Sequence, residues 1–234
     1  MPEIRQAFHE QLKLLEEQIL RMGELTRAMV ADAVLALEQS DLSVVESVVA
    51  QDDVVDALDL EIESLCVRLL VLQQPAGRDL RLISAAIKVI TDIERIGDHA
   101  VDIAEISRKL AQELYLRIPL VNVAPLAERA QQMLRLSLQA LVERDTVLAA
   151  QVCAENKWVD EELRSLRHEL FNIGHRDAAL SAAASYTLLA AVYIERIADH
   201  ATNIAERVHY IETGILKPLG RTPSPPVAEA PPKA

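Results

Sequence analysis

Glu94 and Asp98 stand four residues apart, and the same pair recurs 101 residues later as Glu195 and Asp199. On a helix this spacing puts both carboxylates on one face, one turn or about 6 Å apart along the axis. Asp102 and Asn203 extend the two stripes by a further turn. A second set lies upstream of each. Asp52 and Asp56 repeat the four-residue step, and 104 residues on their counterparts are Asn156 and Asp160. Carboxylate and amide oxygens clustered without a thiolate suit hard cations: Mg²⁺, Mn²⁺, Ca²⁺ and Fe³⁺. A lone acidic pair on a helix is ordinarily a solvated face. Two copies in register, each with a donor pair on the adjoining helix, point to metal.

Such stripes need long helices, and the chain supplies them. Leu12, Leu15, Ile19, Met22, Met29, Ala33, Leu35 and Leu37 recur at helical steps and predict one buried stripe along a first helix. Ser40-Asp41 offers an N-cap for a second helix reaching about Gln73. Pro75-Ala76-Gly77 turns the chain into a third, which ends near Glu113. Helices near 125–143, 145–173 and 177–214 repeat the plan. Ile93 to Glu105 and Ile194 to Glu206 share ten of thirteen residues, and a shortened turn around Gly174 accounts for the offset changing from 104 to 101. The chain is a tandem duplication of a three-helix unit. The expected fold is all-α, two three-helix bundles about a pseudo-twofold axis, with the acidic stripes exposed on one broad face. The expected divisions are 1–118, 119–216 and a disordered proline-rich tail at 217–234, which holds six of the ten prolines.

Composition removes other classes. The six glycines form neither a dinucleotide fingerprint nor a phosphate loop. A net charge of −12, from 24 basic and 36 acidic residues, argues against nucleic acid. The N-terminus lacks the apolar core of a signal peptide, and the longest apolar runs fall short of a membrane span, so a cytosolic protein is expected. Cys66 and Cys153 form no disulfide framework and read as buried filler. His99 and His200 lie off the stripes and read as structural, bonded to a neighbouring helix. Arg95 and Arg196 read as partners of acids in their own stripes.

The doubled Ile-Glu-Arg-Ile-x-Asp-His-Ala motif at 93–100 and 194–201, the Arg78-Asp79-Leu80-Arg81 after the second turn and the six-helix repeat together resemble the PhoU family of phosphate-signalling proteins. The resemblance covers roughly residues 7–214. It implies a non-enzymatic, often homodimeric protein with metal ions at Glu/Asp-x-x-x-Asp motifs, in some members iron or zinc clusters. Iron, zinc, magnesium and manganese are therefore all candidates. It implies as partners a PstB-like importer ATPase and a PhoR-like sensor histidine kinase, with membrane contact only through them. The motif falls on Glu94 and Asp98, Glu195 and Asp199, and Asp52 and Asp56, and departs at Asn156 and Asn203, so the second site is expected to hold metal more weakly. Two rivals remain open, a ferritin-like di-iron protein and a metal-free structural bundle. The first needs Glu-x-x-His on two helices, whereas His99 follows Glu94 by five.

Overall fold

A computed structural model describes residues 2–112 and 120–219, and every regular element among them is helical. The helices are α1 (Pro2–Gln39), α2 (Val45–Gln73), α3 (Gly77–Gln112), α4 (Ala124–Glu143), α5 (Thr146–Arg176) and α6 (Ser181–Thr213).

Local chemistry sets most of the boundaries. Asp41 accepts from the backbone N–H of Ser43 and opens a 3₁₀ turn at Leu42–Val44, so α2 starts four residues later than the cap itself. At the equivalent place Asp145 accepts from the N–H groups of Val147 and Leu148 and starts α5 directly. The expected turn around Gly174 lies instead at Asp177 and the 3₁₀ turn Ala178–Leu180. Gly174 belongs to the last turns of α5, and its carbonyl accepts from the Ser181 hydroxyl of α6.

Within each repeat the outer helix packs on the other two, α2 on α1 and α3, and α5 on α4 and α6. The repeats join through α3 against α6 and α1 against α4. Gly23 permits the second contact, since a Cβ there would stand 2.7 Å from Leu138 Cδ2. The buried residues of both repeats form one continuous core. In it the sequence registers hold: Val48 matches Val152, Val55 matches Val159 and Ile62 matches Leu166 at 104, while Ile93, Ile96, Ala100 and Ile103 match Ile194, Ile197, Ala201 and Ile204 at 101. In α1, Leu35 is only half-buried, and Val34 and Ala36 pack inward beside it.

Antiparallel α3 and α6 carry the pseudo-twofold axis. Arg78 at the start of α3 makes a bidentate ion pair with Glu212 at the end of α6, and Arg81 Nε donates to the Ile211 carbonyl. Midway, the His99 and His200 rings lie 5.7 Å apart. A twofold axis normal to two antiparallel helices leaves equivalent features of both on the same side of the molecule.

By length and composition alone the stretch Ala178–Thr213, which includes α6, would pass for a membrane span, with a mean hydropathy of 1.4 over its most apolar part, a test that the core helix of a soluble bundle passes too. The buried stripe of α6 packs on α3, α4 and α5. The expected division at 118/119 and the proline-rich stretch from 220 onward lie outside the described residues. Of the expected tail, Leu219 is described: its N–H donates to Glu206 Oε1 and its side chain packs on the core.

Candidate functional site

Helices α2 and α3 bring the first acidic set together. Asp52 projects from α2 against Gly97 of α3, so closely that a Cβ on Gly97 would stand 3.0 Å from Asp52 Oδ1. That oxygen is buried with no hydrogen-bond partner, and so is Oδ1 of Asp59 two turns further along α2. Burial and then the charges of Asp56, Asp98, Asp53 and Asp102 push the Asp52 carboxyl up to about 6. Glu94 is raised by burial and Asp98, with Arg95 opposing. Arg95 sits at the rim, 2.8 Å from Asp98 and 3.4 Å from Glu94. Glu94 and Glu195 are themselves 23% and 15% exposed. The stripes are therefore half-sunk between helices rather than fully exposed, because α2 and α5 roof their inner edges.

The second set is assembled differently. Asn156 Nδ2 of α5 donates to Asp199 Oδ1 of α6 at 3.0 Å, and the Thr202 hydroxyl lies 3.4 Å from Asn156 Oδ1. An ionised carboxylate only accepts, which fixes the amide orientation. Glu195 is raised by burial, Asp199 and Asp160, and lowered by Arg196 and Arg167. Arg196 lies 3.6 Å from both Glu195 and Asp199.

Asp102 and Asn203 belong to the seam rather than to the grooves. Asn203 Nδ2 crosses to α3 and donates to Asp92 Oδ1, which also meets His200 Nδ1 at 2.8 Å. Asp102 stands 3.6 Å from His99 Nδ1, too far for a direct hydrogen bond. Burial and then the Asp102 charge raise the Tyr193 phenol, and the same charge adds a last increment to the rise at Asp52. The Tyr193 ring stacks on His99 at 5.3 Å. Asp92 and Tyr193 occupy equivalent positions 101 residues apart, each reaching the other repeat's histidine. His200 thus has the structural place expected of it, bonded to α3, whereas His99 meets α6 only through its ring contacts and its buried Nδ1 has no hydrogen-bond partner.

Sequence reasoning missed Asp92 and Arg167. Asp92 lies one position before the compared block, and Arg167 replaces Glu63 in the 104 register. Cys66 and Cys153 are buried, and burial pushes both thiols up to about 12, which leaves them inert. Trp158 packs at the edge of the core beneath the Arg129 guanidinium, 4.5 Å from its ring centroid. Among the described residues no three His, Cys, Asp or Glu side chains are grouped as a metal ion would require. The first groove gathers hard oxygen donors, one of them the orphaned Asp52 Oδ1, on two adjoining helices without closing three of them on a common point.

Fold and grooves define a duplicated six-helix bundle with its acidic clefts on one face. The chain belongs to the PhoU family: the family model for the PhoU domain matches residues 19–107 and 123–208, two segments starting 104 residues apart. The phosphate-specific transport system accessory protein PhoU homologue of Clostridium acetobutylicum is 35% identical over 211 residues, 90% of this chain and 96% of that one. The homologue of Pseudomonas aeruginosa is 35% identical over 90% of this chain and 87% of its own length. The crystal structure of PhoU from Pseudomonas aeruginosa superposes with a TM-score of 0.86 at 34% identity, covering 89% of this chain and all of that one. The phosphate transport system regulatory protein PhoU of Streptococcus pneumoniae gives 0.81 at 27% identity over 90% of this chain and 99% of its own. The family is one of accessory and regulatory proteins, not enzymes, and this chain is a phosphate transport accessory protein of that family.

Proposed function

We propose that this chain works in the cytoplasm by contact, as a homodimer that holds the phosphate-starvation response off while bound to a PstB-like importer ATPase and a PhoR-like sensor histidine kinase. The observation that carries this reading is the match to transport-system accessory proteins over nearly their whole length and nearly the whole of this chain. A contact role also suits the outer side of α2, where Leu60, Val67, Val71 and Leu72 are half to nearly three-quarters exposed, an apolar surface of the kind that receives partner helices.

A metal ion enters this reading at the first groove. Glu94, Asp98, Asp52 and Asp56 would hold it, and binding requires their side chains to rotate inward. The ion would supply the positive charge the groove lacks and draw α2 and α3 together. The chain's own part is to position these oxygens on two rigid helices and to keep Oδ1 of Asp52 out of water against Gly97. Iron, zinc, manganese and magnesium all remain candidates, and elemental analysis of protein purified without chelator identifies the occupant.

Deleting the gene in a phosphate-replete culture tests the pathway, with alkaline phosphatase as the readout. Derepression, together with co-purification of the importer ATPase or the kinase, supports the assignment. Unchanged output with neither partner recovered defeats it and returns the metal-free structural bundle.

A further inference from the structure

The two grooves are not equivalent, and the difference is coordinated. In the 104 register Asp52, Asp59 and Glu63 of α2 become Asn156, Leu163 and Arg167 of α5. In the 101 register Gly97 of α3 becomes Ala198 of α6, and Asp102 becomes Asn203. Each exchange removes something a cation would use. Asn156 places an N–H donor on Asp199 Oδ1, an oxygen that would otherwise face the ion. Leu163 is buried where Asp59 keeps an orphaned oxygen. Arg167 brings positive charge to Glu195, where Glu63 adds negative charge to Asp59. Ala198, fully buried, carries a methyl at the position where Gly97 leaves room for the Asp52 oxygen. Asn203 is turned away to Asp92 across the seam.

From these exchanges we infer that the second groove takes no cation, because the Asn156 amide stands in for the ion between α5 and α6, and that only the first repeat binds metal. The inference rests on the metal reading above for the first groove, but the closed state of the second groove stands on its own geometry. An amide hydrogen-bonded to a carboxylate, with Arg167 and Arg196 near the remaining charge, leaves little field for a hard cation. In the first groove Arg95 pairs with Glu94 and Asp98, while Asp52, Asp56 and Asp59 add their charge beside them.

The experiment uses the full chain, stripped with EDTA and titrated with Mn²⁺ by calorimetry. The double variant Asp52→Asn/Asp98→Asn should lose binding altogether, at least 100-fold in affinity on the charge argument. The double variant Glu195→Gln/Asp199→Asn should bind as the wild type does, within about twofold. In the reverse direction, Asn156→Asp/Arg167→Glu should add a new class of site. A stoichiometry that falls in Glu195→Gln/Asp199→Asn, or no new binding in Asn156→Asp/Arg167→Glu, overturns the inference. Wild-type protein that takes no Mn²⁺ defeats the metal reading of the first groove, and the second groove is then judged in EDTA alone. There Asn156→Ala should lower Tm by about 2–4 °C while Asp52→Ala raises it, since one removes a bridge and the other a repulsion. Tm shifts of the same sign in both variants overturn the inference.

Discussion

Asp52 sits at the centre of the first groove, and its environment predicts how the protein responds to acid. Its carboxyl rises from an ordinary 3.8 to about 6, so the folded chain binds this proton more tightly than the unfolded chain. Its contribution therefore destabilises above pH 6 and is relieved as the pH falls from 6 towards 4. In chelator-treated protein Asp52→Asn should raise stability at pH 7 by on the order of 1 kcal/mol, after allowance for solvent screening, and the gain should vanish by pH 4. Urea denaturation at the two pH values measures this, and an equal gain at both would refute it. Gly97→Ala separates two effects at one position. Alanine favours a helix over glycine by about 1 kcal/mol, yet the new Cβ would press on the Asp52 carboxylate. Stability should hold or rise while Mn²⁺ affinity falls at least tenfold. The acids of the first groove were legible in the sequence because four-residue spacing fixes a helix face. Asn203 was misplaced for the same reason: spacing gives a residue's face but not which neighbour that face meets, and here the neighbour is Asp92 of the other repeat.

At the scale of elements, helix existence was legible and helix junctions were less so. The apolar period and the duplicated text determine α1 to α6. The turns depend on backbone choices that composition does not announce. Ser40, Gln74 and Arg144 end their helices in the left-handed region at φ +52, +47 and +58 without being glycine, whereas Gly174, which looked like a turn residue, stays helical. The α3 to α6 staple was equally hidden, since Arg78 and Glu212 meet only once the two repeats pack. The hydrogen bonds from Arg78, followed by its charge, hold the Glu212 carboxyl below its ordinary value. That stability is fully present above the unfolded pKa of 4.5 and is lost as the pH falls below it through the lowered folded value. Arg78→Met should cost about 1 kcal/mol at pH 7, and the cost should shrink as the pH is taken stepwise below 4.5, as judged by thermal melts along the series. A loss of constant size down the whole acid series would mean that packing, not the ion pair, was removed.

For the whole molecule, the shared core decides cooperativity. Buried residues of α3 and α6 pack on one another across the seam, so neither repeat covers its own apolar surface alone. Calorimetric unfolding should show a single transition, and Gly23→Val, which drives a side chain into Leu138 where α1 meets α4, should lower that one Tm instead of splitting it. Two resolved transitions would show that the repeats unfold separately. The chain has one tryptophan, Trp158, and it lies on α5 between Asn156 and Asp160 with Arg129 over its ring. It is thus a fluorophore built into the second repeat alone. Its emission should stay constant while Mn²⁺ fills the first groove of the wild type, and should be quenched by the same ion in Asn156→Asp/Arg167→Glu, so that a cuvette reads which half of the duplication a cation has entered.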